Sequence, residues 1–433
     1  MEILERFAKN NRVAIIDNGV EFSYKDLNDK ISEFSKFLEQ NGVKHGEIIA
    51  MHAKYSFENI ALFLALYHNK NTIALLPNQS QINSYLKASN ANKLITCDGN
   101  ITNLNPQNPT QIITKLQGQS GLILFSSGTL GKPKAILHSL DGLITAHKGK
   151  RERNLRVLLF LLFDHIGGIN SLLAGLCGGL TLVIARDFTL QNICENIEKS
   201  RVNILPTTPS FLNLLLLSNE RQKHNLTTLK LITYGTEPMS EALLKRLKIA
   251  FPRVKFNQTF GTSETGILQT LSKSSSSTRF KLPKSEYKII DGRLFLRSNT
   301  MFLGYLSNQN GANLSKEWFD SGDLAAIDDD GFLQILGREG QTINVAGNKL
   351  LACEVEACIM ELDEISDVVV YSEKSLITGQ MVVCDVVSSL DKTAVKELIK
   401  SHCKARLERY KVPLKVNLVS QIELTNRFKK SRK

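Results

Sequence analysis

The absences in this chain narrow its class first. Its seven cysteines (Cys97, Cys177, Cys194, Cys353, Cys358, Cys384 and Cys403) are scattered, and no two form a C-x-x-C pair. That excludes a zinc ribbon and a disulfide framework, and it is the usage expected in a reducing cytoplasm. No apolar run is clean enough to span a bilayer. The most apolar stretch, 155–185, holds Asp164 and His165 and is punctuated by glycines, so it reads as a buried strand followed by a core helix. The opening residues Met1-Glu2-Ile3-Leu4-Glu5-Arg6 carry acids and no apolar core, so no secretory leader is expected there. No internal repeat is visible.

What remains is a large globular chain. At 433 residues it exceeds the usual size of one hydrophobic core, so at least two domains are expected. Hydrophobic content of 42% and charged content of 22% are ordinary for such a protein. Lys and Arg outnumber Asp and Glu by 54 to 42, giving a net charge of +12. The excess is spread along the chain, with local runs at Lys148–Arg156 and Lys429–Lys433. A dispersed basic surface suits small anionic substrates, and no nucleic-acid partner is expected.

Strand and helix signals alternate over the first 235 residues. Asn18-Gly19 joins two apolar runs as a hairpin, and Ser23-x-x-Asp26 opens a helix through Leu27, Ile31, Phe34 and Leu38 that closes at Asn41-Gly42. Strands at 48–52, 72–76, 93–97, 156–163, 180–185, 203–205 and 229–234 are separated by helices near 56–69, 81–89, 168–178, 189–199 and 209–217. This alternation predicts doubly wound α/β sheets. Residues 271–284 read as a polar loop, followed by short β segments at 287–297. From 338 the pattern becomes a small α+β unit with helices near 354–361 and 392–409 and strands at 366–371, 380–387 and 415–420. The expected boundary falls at Gly337-Arg338, giving units 1–337 and 338–433.

The stretch Gly121–Ala135, GLILFSSGTLGKPKA, runs from a strand into a glycine-rich basic loop. A P-loop NTPase needs G-x-x-x-x-G-K-[ST]; here the glycine spacing differs and Pro133 follows Lys132. A Walker loop is therefore excluded. Backbone N–H groups freed by glycines, three hydroxyls and nearby lysines nevertheless compose an anion nest. Downstream stand Tyr234-Gly235-Thr236-Glu237-Pro238, then Phe260-Gly261-Thr262-Ser263-Glu264, Ser321-Gly322-Asp323-Leu324, Gly337-Arg338 and Thr425-x-x-x-Lys429.

In this order the set resembles the acyl-adenylate-forming superfamily of acyl-CoA and aryl-CoA synthetases, amino-acid adenylation domains and luciferase-like enzymes. The resemblance spans nearly the whole chain. It implies a large N-terminal AMP-binding domain of mixed sheets with a β subdomain, and a small mobile α+β lid. By that resemblance Ser126, Ser127, Gly128, Thr129, Gly131 and Lys134 wrap the β- and γ-phosphates of ATP. Glu264 is the implied Mg²⁺ ligand, and Ser263 replaces the usual Thr at the α-phosphate. Gly235, Thr236 and Glu237 form one wall of the adenine slot, with Phe260 and Gly261 opposite. Phe260 stands where a Tyr is usual, which keeps stacking and removes a hydroxyl. Asp323 matches the acid that accepts the ribose hydroxyls, and Arg338 the base beside it. Lys429 matches the lysine that bridges carboxylate and α-phosphate as charge builds.

Some positions depart from the pattern. Phe428 replaces the glycine before that lysine, Gly340 a hinge Asp, and Asn344 a lysine. Ala346-Gly347 and Glu354 keep the outline of a motif that faces the thiol acceptor. In the acid pocket Asp164 falls where CoA synthetases often carry His and amino-acid adenylation domains Asp, and His165 follows directly. Gly168, Asn170 and Thr207-Thr208 are further pocket candidates. The implied reaction is ligation of a fatty, aryl, amino or hydroxy acid to a thiol through acyl-AMP, with CoA or a carrier-protein phosphopantetheine as acceptor. A rival is a degenerate protein that binds nucleotide without catalysis.

Overall fold

The computed structural model describes residues 6–77, 81–106, 111–127, 133–149, 151–185, 187–306, 318–425 and 428–432. Two seven-stranded sheets form the bulk of the first three hundred residues. One runs 304–305, 133–139, 121–127, 72–76, 48–52, 93–95, 101–103 across its width, and the other 255–258, 231–234, 204–207, 156–159, 181–184, 13–17, 20–23. Both have parallel centres; the first is antiparallel at both edges, the second only where 20–23 joins 13–17. Strand Thr72–Leu76 is buried at every position, as expected where helices cover both faces of a parallel sheet. Helix Phe57–His68 is buried nearly all round, capped by the Ser56 hydroxyl, and lies within the largest core cluster. Helix Tyr24–Gln40 instead buries only Tyr24, Leu27, Ile31, Phe34 and Leu38, and its Ser23/Asp26 capping box is complete. Asn18 and Gly19 take φ of 54° and 80°, as a primed two-residue turn requires.

A six-stranded antiparallel sheet follows, ordered 271–272, 280–281, 333–338, 319–327, 293–297, 286–290. The final unit is a smaller sheet of strands 348–351, 342–345, 379–388 and 365–375, with 415–418 parallel to 379–388. Helices Ala352–Ile359 and Lys392–Arg406 pack on it. The chain passes from one sheet to the next through the short 3-10 turn Glu339–Gln341. Gly340 lies there without a left-handed φ, and a Cβ would meet open space; this conformation does not use its dihedral freedom. Among the described residues no helix is long and apolar enough to cross a membrane.

Some local expectations shift. The apolar run at 156–163 is strand only over Arg156–Leu159. The chain then turns, with Phe160 and Phe163 buried, and the helix begins at Ile166. The polar segment 271–284 contains two short strands, because Phe280 is buried and pairs with Leu333. The long C-terminal helix ends at Arg406, where Leu407 becomes extended.

Candidate functional site

Strand Gly121–Ser127 turns back on strand Pro133–Ser139, so Ser126 lies opposite Lys134 and Ser127 opposite Pro133. Four apolar or aromatic positions of this hairpin, Ile123, Phe125, Ala135 and Leu137, are buried in one cluster. Gly128, Thr129 and Gly131 lie outside the described residues, and Ser127 is described by its backbone alone.

Strand Gly304–Tyr305 pairs with Leu137 and Ile136 on the outer edge of the hairpin. That pairing brings Tyr305 between two of the expected site residues. Its hydroxyl donates to Glu264 Oε1 at 3.0 Å, and the Lys134 ammonium lies 5.7 Å from its ring centroid. Burial and the neighbouring Glu264 push the Tyr305 phenol well above its ordinary range, so it stays protonated and donates. Glu264 is held from behind as well: its N–H donates to Thr262 Oγ1 and its carbonyl accepts from Phe302 N–H. His138, on the same hairpin, is buried and donates from Nε2 to the Ser263 carbonyl at 2.7 Å. Desolvation lowers this imidazole to about 4, which keeps it neutral. Neither His138 nor Tyr305 had a local signal in the sequence; strand pairing brings Tyr305 beside Glu264, and His138 reaches Ser263 by its side chain.

Gly235 requires glycine. A Cβ there would stand 2.5 Å from Thr259 Oγ1 and 2.8 Å from the Thr259 carbonyl. Thr236 follows in the left-handed region at φ 71°. Gly261 is as tight, with the Gly266 carbonyl 2.1 Å from a built Cβ. Phe260 is buried, its ring 5.5 Å from Phe280 in the core of the six-stranded sheet. Glu237 does not stand alone: Ser210 Oγ donates to its Oε2 at 2.6 Å and the Lys430 N–H to its Oε1 at 3.0 Å.

Asp323 and Arg338 face each other across a register of adjacent antiparallel strands. The Arg338 Nε donates to Asp323 Oδ1 at 3.0 Å. The carboxylate is 7% exposed and the guanidinium 55%. Burial raises the Asp323 carboxyl above its usual range, against the opposing pull of Arg338 and, more weakly, Lys429.

The segment carrying Lys429 forms a closed turn. Lys429 O accepts from Thr425 N–H at 2.8 Å, and Ser431 N–H donates to Glu423 O at 2.9 Å. Phe428 sits in the turn at φ 51°, a conformation that costs a residue with a Cβ about 1–2 kcal/mol. Its ring packs 4.9 Å from Phe160 and 5.5 Å from Phe211.

Asp164, His165, Gly168 and Asn170 gather at helix Ile166–Cys177, whereas Thr207 ends strand Ile204–Thr207 and Thr208 caps helix Pro209–Leu217. His165 is the N-cap residue of helix Ile166–Cys177 without a side-chain capping bond, and Asp164 precedes it, buried. Asp164 adds to the burial that raises the wholly enclosed Tyr55 phenol, and Tyr55 stacks on Phe163 at 4.6 Å. Gly168 meets the Leu162 carbonyl 2.0 Å from a built Cβ, so no other residue fits. Asn170 lines a narrow cavity with Ile169, Leu173, Ile267 and Thr300.

These elements offer a tethered carboxylate at Glu264, a paired carboxylate at Asp323 and a lysine-bearing turn from the C-terminal segment. Comparison with known proteins places them. The AMP-binding enzyme family model matches residues 4–306, and the AMP-binding enzyme C-terminal domain matches 354–429. The chain belongs to the AMP-binding enzyme family. It is 27% identical over 321 residues to 4-coumarate-CoA ligase 1 of Narcissus pseudonarcissus, covering 66% of this chain and 59% of that one. The chain thus spans about three fifths of that plant ligase's length. It is 22% identical over 443 residues to a 2-succinylbenzoate–CoA ligase of Listeria monocytogenes, covering 95% and 93% of the two chains. The crystal structure of the anthranilate CoA ligase AuaEII with anthranoyl-AMP superposes with a TM-score of 0.83 at 19% identity, over 99% of this chain and 95% of that one. The likeness confirms the fold: a large mixed α/β unit followed by a small one.

Proposed function

We propose that this chain is a cytoplasmic, ATP-dependent carboxylic acid ligase that forms acyl-AMP, releases pyrophosphate and passes the acyl group to a thiol, CoA. The reading is supported by family membership and by relatives whose names are those of CoA ligases. The observation that carries it is the docking of the Lys429 arm on the large unit, where the adjoining Lys430 N–H donates to Glu237 at 3.0 Å. A lysine from the C-terminal segment there neutralises charge where a carboxylate meets the α-phosphate.

In this mechanism no general base is needed, because the acid attacks as an anion. Catalysis consists of alignment and charge stabilisation. Ser126, Ser127, Gly128, Thr129, Gly131 and Lys134 hold the leaving phosphates, and Ser263 bonds the α-phosphate. Gly235, Thr236 and Glu237 flank the adenine with Phe260 and Gly261; Asp323 accepts from the ribose hydroxyls and Arg338 orients it. Asp164, His165 and Gly168 border the acid. Glu264 fits a Mg²⁺ ligand: Mg²⁺ is held by one or two carboxylates plus substrate phosphates and water, and Glu264 is a carboxylate fixed by Tyr305 beside the phosphate loop. When bound, the ion would shield phosphate charge. The working units are 1–337 and 338–433, turning about 337–340 between the half-reactions.

A second reading rests on Asp164. A buried carboxylate at the pocket suits a substrate ammonium, as in an enzyme that loads an amino acid onto a carrier protein. Incubation with ATP, CoA and a panel of fatty, aryl, amino and hydroxy acids tests the choice. The CoA-ligase reading expects AMP, pyrophosphate and an acyl-CoA thioester with a plain acid. Adenylation restricted to amino acids, with no thioester on CoA, favours the carrier-protein reading instead.

A further inference from the structure

The arm around Lys429 is tied to both halves of the molecule. On the side of the smaller unit, Lys430 Nζ donates to Asp367 Oδ1 at 2.6 Å and to the Val368 carbonyl at 2.7 Å, and Arg432 grips Glu356 with two bonds of 2.8 Å. On the side of the large unit, Thr208 Oγ1 donates to the Phe428 carbonyl at 2.8 Å and Glu237 accepts the Lys430 N–H. Between these bonds the Phe428 ring inserts against Phe160, Phe188 and Phe211, at centroid distances of 4.9, 6.2 and 5.5 Å. Phe160 and Phe211 belong to, and Phe188 packs against, a core cluster that includes Leu205 of strand Ile204–Thr207.

The backbone at Phe428 makes this placement informative. Its φ of 51° is the left-handed conformation that glycine adopts freely and an aromatic residue resists. A bulky side chain kept in that conformation needs compensation from its surroundings, and the aromatic cluster supplies it.

We propose that Phe428 is a positioning residue: an aromatic clasp that seats the Lys429 arm on the large unit in the arrangement required for adenylation. The inference rests on the reading of Lys429 as the lysine at the α-phosphate. Withdrawing the arm for the thiol step then requires the ring to leave its cluster, so the clasp favours the first half-reaction and retards the second.

Phe428→Gly tests this, because glycine accepts the backbone conformation and removes only the ring. The expected result is about a tenfold fall in the acid-dependent ATP–pyrophosphate exchange rate at saturating ATP. The KM for ATP is expected to hold, and thioester formation from supplied acyl-AMP to be equal or faster. Limited trypsinolysis gives a readout independent of activity: cleavage at Lys429 and Lys430 accelerates about tenfold in Phe428→Gly, roughly a 1.4 kcal/mol easier opening of the arm. Phe428→Tyr, which keeps the ring, retains wild-type protection. Unchanged cleavage in Phe428→Gly, or equal losses in both half-reactions, would overturn the clasp. If wild type shows no exchange with any acid, the ligase reading has failed, and the proteolysis comparison alone decides the clasp.

Discussion

His138 Nε2 lies 2.7 Å from the Ser263 carbonyl, and the imidazole that makes this bond is buried and neutral. It braces the turn that presents Ser263 and Glu264 from the neighbouring hairpin. Its lowered pKa has a consequence for stability. Between the ordinary 6.5 and about 4 the unfolded chain binds a proton at this residue that the native chain does not. Stability is therefore full above 6.5 and falls as pH drops through that window, by up to about 3 kcal/mol for this group. His138→Gln keeps a donor and cannot titrate. Denaturant melts at pH 7 and pH 5 should show a smaller acid loss in His138→Gln than in wild type.

Asp323 is buried while its partner Arg338 is mostly exposed. A carboxylate in that setting is worth keeping charged only if it accepts further donors, and the ribose hydroxyls are the donors expected. Asp323→Ala should raise the KM for ATP by about 10–100-fold, as loss of hydrogen bonds to a charged group would. The same variant should lose the wild-type preference for ATP over 2′-deoxy-ATP. Steady-state kinetics with both nucleotides checks this; an intact preference in Asp323→Ala would separate Asp323 from the ribose.

Tyr305 links Lys134 to Glu264 through its ring and its hydroxyl. Tyr305→Phe keeps the ring beneath the ammonium and removes only the bond to Glu264. The expected effect is about a tenfold loss in kcat/KM for ATP, the value of one hydrogen bond to a carboxylate. A shift of the Mg²⁺ concentration needed for half-maximal rate should accompany it. A larger loss in Tyr305→Leu than in Tyr305→Phe would report the separate contribution of the ring.

Much of this architecture was legible in local pattern, and the limits of that legibility have physical causes. Helix Tyr24–Gln40 announced itself through Ser23, Asp26 and the spacing of Leu27, Ile31, Phe34 and Leu38, all of which depend on neighbours within two turns. The parallel strands did so through continuous apolar runs. Asp323 and Arg338 were visible as motif residues, yet their contact is a product of strand register. Tyr305 and His138 carried no mark, because Tyr305 comes to Glu264 through pairing of strands distant in sequence and the His138 ring reaches a carbonyl 125 residues away. Phe428 was conspicuous as a residue where glycine is usual. Its meaning was hidden, since Phe160, Phe188 and Phe211 come from three separate segments that only the folded sheet assembles.

The central claim is that this site joins a carboxylate to the α-phosphate of ATP under the charge of Lys429. Acid-dependent exchange of labelled pyrophosphate into ATP, measured across fatty, aryl, amino and hydroxy acids, tests it most directly. The account predicts exchange by wild type with at least one class of acid. It also predicts a loss of at least about a hundredfold in Lys429→Ala, with thioester formation from supplied acyl-AMP largely preserved. Absence of exchange with every acid, or equal loss of both half-reactions in Lys429→Ala, would contradict it.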